Sequence, residues 1–238
     1  NNANVGSFSA SGGTLNVGST TIALANGTNG GLATNYAIND GNFTITQRVV
    51  GVSGTRLYDA TTNAAASDLA THANLVGSQT LTLSGTGTIA SKNVGSNKTV
   101  SIGTLALGNG SNGGLAANYT LTGGTHQLTV NQARISLTGA RQYDGTIDVR
   151  NSEVSLTGQQ GGEDLTISGT GSVTSKDVGN GKSVNISGLT LGNGQSGTPG
   201  LSSNYTFSGG TQTFNITKRT LNMSASRDYN SLKTVSSA

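Results

Sequence analysis

The chain repeats itself with a period near 85 residues, and no other feature limits its fold so strongly. Tyr58 in RLYDATT returns as Tyr143 in RQYDGTI and as Tyr229 in RDYNSLK, 85 and 86 residues apart. The stretch SGTGTIASKNVGSNKTVSI, Ser84 to Ile102, returns 84 residues on as SGTGSVTSKDVGNGKSVNI, Ser168 to Ile186. NGGLATNY (Asn29 to Tyr36), NGGLAANY (Asn112 to Tyr119) and TPGLSSNY (Thr198 to Tyr205) are three versions of one segment. Self-similarity at a fixed offset makes each copy one folding unit. In this phase residues 1–45 are the C-terminal part of a copy, 46–130 and 131–216 are whole copies, and 217–238 are the N-terminal part of a further one. No initiator Met and no leader is visible at Asn1, so the expectation is a piece of a longer chain.

Within a copy the hydrophobic period is two. Gln79 to Ala90 places Leu81, Leu83 and Ile89 among Thr, Ser and Gly, and Lys98 to Leu107 alternates Val100, Ile102, then Leu105 and Leu107. Thr125 to Gly139 gives Leu128, Val130, then Ile135 and Leu137. Alternation bounded by Gly, Asn and Ser clusters predicts half-buried strands, with bulges or strand switches where the phase slips, near Gly103 and Ala133. One stretch, Ala64 to Gly77, has helical spacing, but its counterpart RNSEVSLTGQQGGED reads as strand and turn. Equivalent positions share a fold, so the helix is discounted. The expectation is an all-β chain of tandem immunoglobulin-like β-sandwich repeats, forming an elongated rod. A β-grasp-like repeat is the alternative.

Composition closes other routes. The 37 glycines come with a single proline and no G-X-Y period, which excludes collagen. No apolar run reaches the ~18 residues of a membrane helix. Without cysteine there are no disulfides, thiolate nucleophiles or zinc-thiolate sites. The net charge of +3 arises from 13 Lys+Arg against 10 Asp+Glu, and Lys218-Arg219 is the densest basic pair. Nucleic-acid binding, which wants a clustered basic face, is not expected.

The recurring polar residues divide between structural and functional readings. Tyr58-Asp59 and Tyr143-Asp144 suit a strand-end turn in which Asp accepts backbone N–H bonds. They are poor calcium ligands, because the YD aspartate is the only acid read as recurring in both full copies and calcium takes six to eight oxygens. Lys92, Lys176, Lys98 and Lys182 suit solvated turns. With Asn118 and Asn204 as amide partners, an isopeptide cross-link is the rival. Leu107 to Tyr119 lacks the Lys and the following helix of a P-loop, so its glycines suit a long turn. His72 and His126 are not equivalent and pair with no recurring Ser or Asp, so no catalytic residue, metal ligand or cofactor is expected. Tyr36, Tyr119 and Tyr205 of the Asn-Tyr motif are the candidate ligand contacts, since an exposed aromatic suits stacking on a sugar, although their recurrence fits a core or corner role better.

YDG at Tyr143 to Gly145, SGTG, SKDVG, the late NY and the ITKR-type linker together resemble the YDG-type repeats of large bacterial exoproteins. These occur in filamentous-haemagglutinin-like adhesins secreted by the two-partner route. The first full copy departs from the pattern with YDA (Tyr58 to Ala60), and the last piece with YNS (Tyr229 to Ser231). The resemblance implies an extracellular location on a bacterial surface and a stalk or adhesive array. No enzymatic activity and no membrane insertion are expected, from the lack of a recurring catalytic constellation and of a membrane-length apolar run. The first expectation is a spacer that holds a binding region away from the cell for attachment or biofilm formation. The alternative is that the repeats themselves bind carbohydrate or a surface receptor. Neighbouring repeats are the expected partners, Arg134, Arg141, Arg150 and Lys218 the expected guards of strand edges. Residues 217–238 of one molecule would complete the 1–45 piece of the next, giving head-to-tail self-association.

Overall fold

The structure, a computed structural model, describes residues 18–21, 26, 32–35, 37, 42–226 and 228–229. The chain divides into two compact units between Ala133 and Arg134. Every regular element longer than a 3-10 turn is a strand among the described residues.

In the first unit the module opens with Gly51–Leu57 and closes with His126–Asn131. Between them run Asn63–Ala65, Leu69–Ala73, Leu81–Ser84, Thr86–Ile89, Gly95–Ser101 and Ala106–Asn109. Six of these form one sheet, in the order Asn63–Ala65, Thr86–Ile89, Gly95–Ser101, His126–Asn131, Gly51–Leu57, Leu69–Ala73. The second unit repeats the order with Asp148–Arg150, Leu165–Val173, Gly179–Asn185, Gln212–Thr217, Ser136–Gln142 and Val154–Thr157. Each sheet is barrel-like and mixed. The opening and closing strands pair in parallel, Val52 with His126 through Leu57 with Asn131, and Leu137 with Gln212 through Gln142 with Thr217. The neighbouring pairs are antiparallel. A parallel first–last pair is a feature the β-grasp-like alternative shares. The helix on which that alternative depended is only a 3-10 turn, Ala66–Asp68, matched by Asn151–Glu153 in the second copy.

Alternation puts the apolar side chains inside. On the closing strands His126, Leu128 and Val130, and then Phe214 and Ile216, face inward. The core of the second module gathers Leu137, Val149, Val173, Val184, Leu189, Phe214 and Ile216, with Leu156 and Ile167 packed against it. Each such side chain contributes about 1.5–3 kcal/mol by leaving water.

Both expected phase slips coincide with breaks. Gly95–Ser101 stops short of Ala106–Asn109, and His126–Asn131 stops before Ala133–Arg134. The hairpin formed by residues 81–109 also bends at Gly85, whose φ is +85°; beyond the bend its outer half pairs separately, one residue out of register. Gly169 bends Leu165–Val173 in the same way at φ +88°. A Cβ on Gly85 would run into the carbonyl oxygen of Thr104, and one on Gly169 into that of Gly188. The recurring SGTG is therefore a strand corner that only glycine can turn.

Candidate functional site

The Asn-Tyr segment and its glycine-rich loop were the sequence's best candidate for a contact surface. Tyr36 lies outside the described residues. Tyr119 and Tyr205 follow the 3-10 turns Ala116–Asn118 and Ser202–Asn204, which aim both rings inward. They expose only 3% and 2% of their surface. The Tyr119 hydroxyl accepts the Val76 N–H at 3.2 Å and donates to Gln79 Oε1. In the second copy the Tyr205 hydroxyl accepts the Gln160 N–H at 3.0 Å and donates to Glu163 Oε2 at 2.8 Å. Each tyrosine thus ties the loop after the second hairpin strand to the core, the corner role. A ring that stacks on a sugar needs an exposed face, and neither has one.

The glycine-rich loops close on themselves. Thr80 anchors the first: its Oγ1 accepts the Ser111 N–H at 2.8 Å and lies 2.8 Å from the Ser111 hydroxyl. Asp164 anchors the second, its Oδ2 accepting the N–H groups of Gln195 and Ser196, both at 3.0 Å. The Ser196 N–H, foremost, holds the Asp164 carboxyl below its ordinary range. One asparagine per copy then seats the 3-10 turn: Asn26 Oδ1 accepts the Ala33 N–H at 2.7 Å, Asn109 that of Ala116 at 2.8 Å, Asn193 that of Ser202 at 2.8 Å. Gly110 and Gly114 leave room for the Thr80 carbonyl, and Gly194 for that of Asp164. These glycines serve close backbone approach, in keeping with the long-turn reading of Leu107 to Tyr119.

The YD turn is a second recurring constellation. Asp59 Oδ1 accepts the Thr61 N–H and hydroxyl, each at 2.9 Å; Asp144 Oδ1 accepts those of Thr146 at 3.0 and 2.9 Å. A buried arginine backs each turn: Arg56 pairs with Asp59 and donates to Thr61 O at 2.8 Å, while Arg141 lies 3.2 Å from Asp144 Oδ1 and donates to Thr146 O at 2.6 Å. The Thr146 N–H above all, then its hydroxyl and Arg141, lower the Asp144 carboxyl to about 2. For Asp59, burial raises the carboxyl most strongly, but the Thr61 bonds and Arg56 together outweigh it and leave the group lowered. Ala60 takes the left-handed conformation (φ 63°) that Gly145 takes in the second copy (φ 84°), which is how YDA and YDG build one turn.

Two expectations need correction. Arg141 does not guard an edge: it lies on an opening strand flanked on both sides, its guanidinium 5.5 Å from the Phe214 ring centroid. Arg150 does stand on an edge strand, half exposed, 3.0 Å from Glu153 Oε1 and 3.3 Å from Asp144 Oδ2. Nor is the YD aspartate the only recurring acid, because Asp68 and Glu153 end equivalent 3-10 turns. The signal lay in the SD and SE of AAASDL and RNSEV, which unlike neighbours concealed. No group of three or more His, Cys, Asp or Glu side chains suited to a metal occurs among the described residues. His126 is buried with Nε2 2.8 Å from Leu121 O, a core position, and the Lys92 ammonium sits 6.0 Å from the Tyr58 ring centroid. An open groove of about 470 Å³ lies beside the second YD turn, lined by Tyr143, Asp144, Val178, Lys218, Arg219 and Leu221.

Comparison with the curated proteins and with the solved structures yields no match. Comparison with protein families yields one, the YDG domain, found at residues 41–127 and again at 125–214. The two matched stretches carry the paired strands, the arginine-backed YD turns and the tyrosine corners described above. They cover most of the chain, which therefore belongs to the YDG domain family.

Proposed function

We propose that this chain is a spacer: tandem modules in the stalk of a large secreted bacterial surface adhesin of the filamentous-haemagglutinin-like kind, which hold a binding region away from the cell for attachment or biofilm formation. One observation carries the reading. The recurring side chains of the two motif turns are spent inside their own module, the Tyr119 and Tyr205 hydroxyls on loops 76–79 and 160–163, Asp59 and Asp144 on Thr61 and Thr146, Asn109 and Asn193 on their 3-10 turns. A repeat built to grip a ligand would repeat exposed polar or aromatic groups instead. The loop that carries NGGL in two copies carries TPGL in the third. Solution scattering on chains carrying one to four copies tests it: the maximum dimension is expected to grow by a constant step per copy, and no growth would end the spacer reading.

A second reading, in which the repeats adhere to carbohydrate or a surface receptor, draws on the groove beside Tyr143, where a half-buried ring meets Lys218, Arg219 and Asp144. Saturable binding to a glycan panel, lost in Tyr143→Ser, would establish it. The proposal includes head-to-tail association of copies. Leu221 and Met223 are 79% and 93% exposed, although their counterparts Val50 and Val52, and Ile135 and Leu137, are fully buried. A second copy could cover them by strand addition. Sedimentation at rising concentration is expected to show lengthening oligomers, and a monomer throughout would remove this part.

A further inference from the structure

Tension along the chain enters each module at its opening strand and leaves by its closing strand. These two strands lie side by side and run the same way, so entry and exit sit at opposite ends of one ladder. In the first module Val52 is beside His126 at the entry end, and Leu57 beside Asn131 at the exit end. Pulling then slides the strands past each other, and the ladder's hydrogen bonds carry the load together. Had the terminal strands been antiparallel, entry and exit would share one end and the bonds would part singly.

Further bonds hold the ladder at both ends. Val52 N–H donates to Thr125 O at 3.2 Å and Tyr58 N–H to Asn131 O at 2.8 Å. The second module repeats both, Leu137 to Thr211 at 2.9 Å and Tyr143 to Thr217 at 2.9 Å. Neither clamp strand is an edge: Leu69–Ala73 flanks the first on one side and Gly95–Ser101 on the other. Val52, Leu128 and Val130, and Leu137, Phe214 and Ile216, keep water from one face, so a bond broken there finds no ready substitute. With no cysteine in the chain, no disulfide shares the load. Only residues 132–135 separate the first module's closing strand from the second's opening strand.

We propose that each module is a tension-bearing unit whose parallel first–last strand pair is its mechanical clamp. The inference rests on the stalk reading for the source of the load. The test is single-molecule stretching of the full chain in two geometries at one loading rate. Held by its termini, the chain is expected to yield in two steps, each releasing roughly 80 residues, or about 280 Å at ~3.5 Å per residue. Held instead through Leu57→Cys and Asn131→Cys, exposed partners at the same end of the ladder, the first module is expected to yield at less than half that force. Gln142→Cys and Thr217→Cys give the same comparison in the second module, should the first pair disturb folding. Equal forces in the two geometries overturn the clamp and leave the stalk standing. A ligand that saturates the modules overturns the stalk and leaves the force ratio unchanged.

Discussion

Replacing Tyr205 by phenylalanine removes one oxygen and keeps the ring that fills the corner. That oxygen donates to the Glu163 carboxylate at 2.8 Å and accepts the Gln160 N–H at 3.0 Å, and Tyr205 and Glu163 are 2% and 5% exposed. A hydrogen bond to a carboxylate contributes about 1.5–3 kcal/mol. Water reaches the half-buried Gln160 amide, so its loss adds little. The expected cost is therefore about 2–3 kcal/mol. In the first module Tyr119 donates to the neutral Gln79, and Tyr119→Phe is expected to cost only about 1 kcal/mol. Denaturant unfolding of the full chain measures both, and hydrogen exchange localises them: the Gln160 amide should lose protection in one variant and the Val76 amide in the other. Glu163→Gln and Tyr205→Phe act on the same hydrogen bond, so their costs should not add, a coupling that a double-mutant cycle reads directly. The corner assignment fails if Tyr205→Phe stays within 0.5 kcal/mol of the parent chain with the Gln160 amide equally protected. Tyr→Ala variants cannot decide the matter, because they also empty the core of a ring.

Two further perturbations follow from the same geometry. Gly169→Ala places a Cβ against the Gly188 carbonyl at φ +88° and is expected to cost about 3 kcal/mol or more in urea unfolding. Gly145→Ala, at φ +84° with open space around it, should cost about 1 kcal/mol; equal costs would refute the corner role of SGTG. Asp144 gives the pH dependence. Its folded-state carboxyl lies near 2, below the ~3.9 of an unfolded chain, so the folded state binds fewer protons. Its stabilising contribution is full above about pH 4 and disappears as pH falls towards 2. Thermal unfolding between pH 7 and 2 should show a shallower acid limb for Asp144→Asn than for the parent, and parallel limbs would exclude the linkage.

The period-two pattern made the strands legible, because every copy alternates over its core-facing residues and the glycines interrupt the alternation where the backbone turns. The parallel pairing was not legible. Opening and closing strands lie some 75 residues apart in sequence, and alternation says which face a side chain takes but not which strand lies beside it. The role of the Asn-Tyr motif was open for a related reason. Recurrence marks Tyr119 and Tyr205 as important in either role, and only burial separates a corner tyrosine from a binding one. Thr80 and Asp164 do the same work with different chemistry, so neither shows as a recurring residue.

Repetition inside one chain acts as a filter on what the residues are for. A ligand that recognises every copy has to read something that every copy presents. Tyr119 and Tyr205, the turn aspartates Asp59 and Asp144, and Asn109 and Asn193 bond within their own modules, and the recurring glycines make room for backbone. In the three versions of the Asn-Tyr segment the leucine before the 3-10 turn stays outside: Leu32, Leu115 and Leu201 are 50%, 37% and 41% exposed. A lone exposed leucine is ordinary on a soluble surface and offers neither hydrogen bonds nor a stacking face. What the copies share is therefore the means of folding and, through the clamp, a means of resisting tension. What they display varies from copy to copy, which suits a unit multiplied for length.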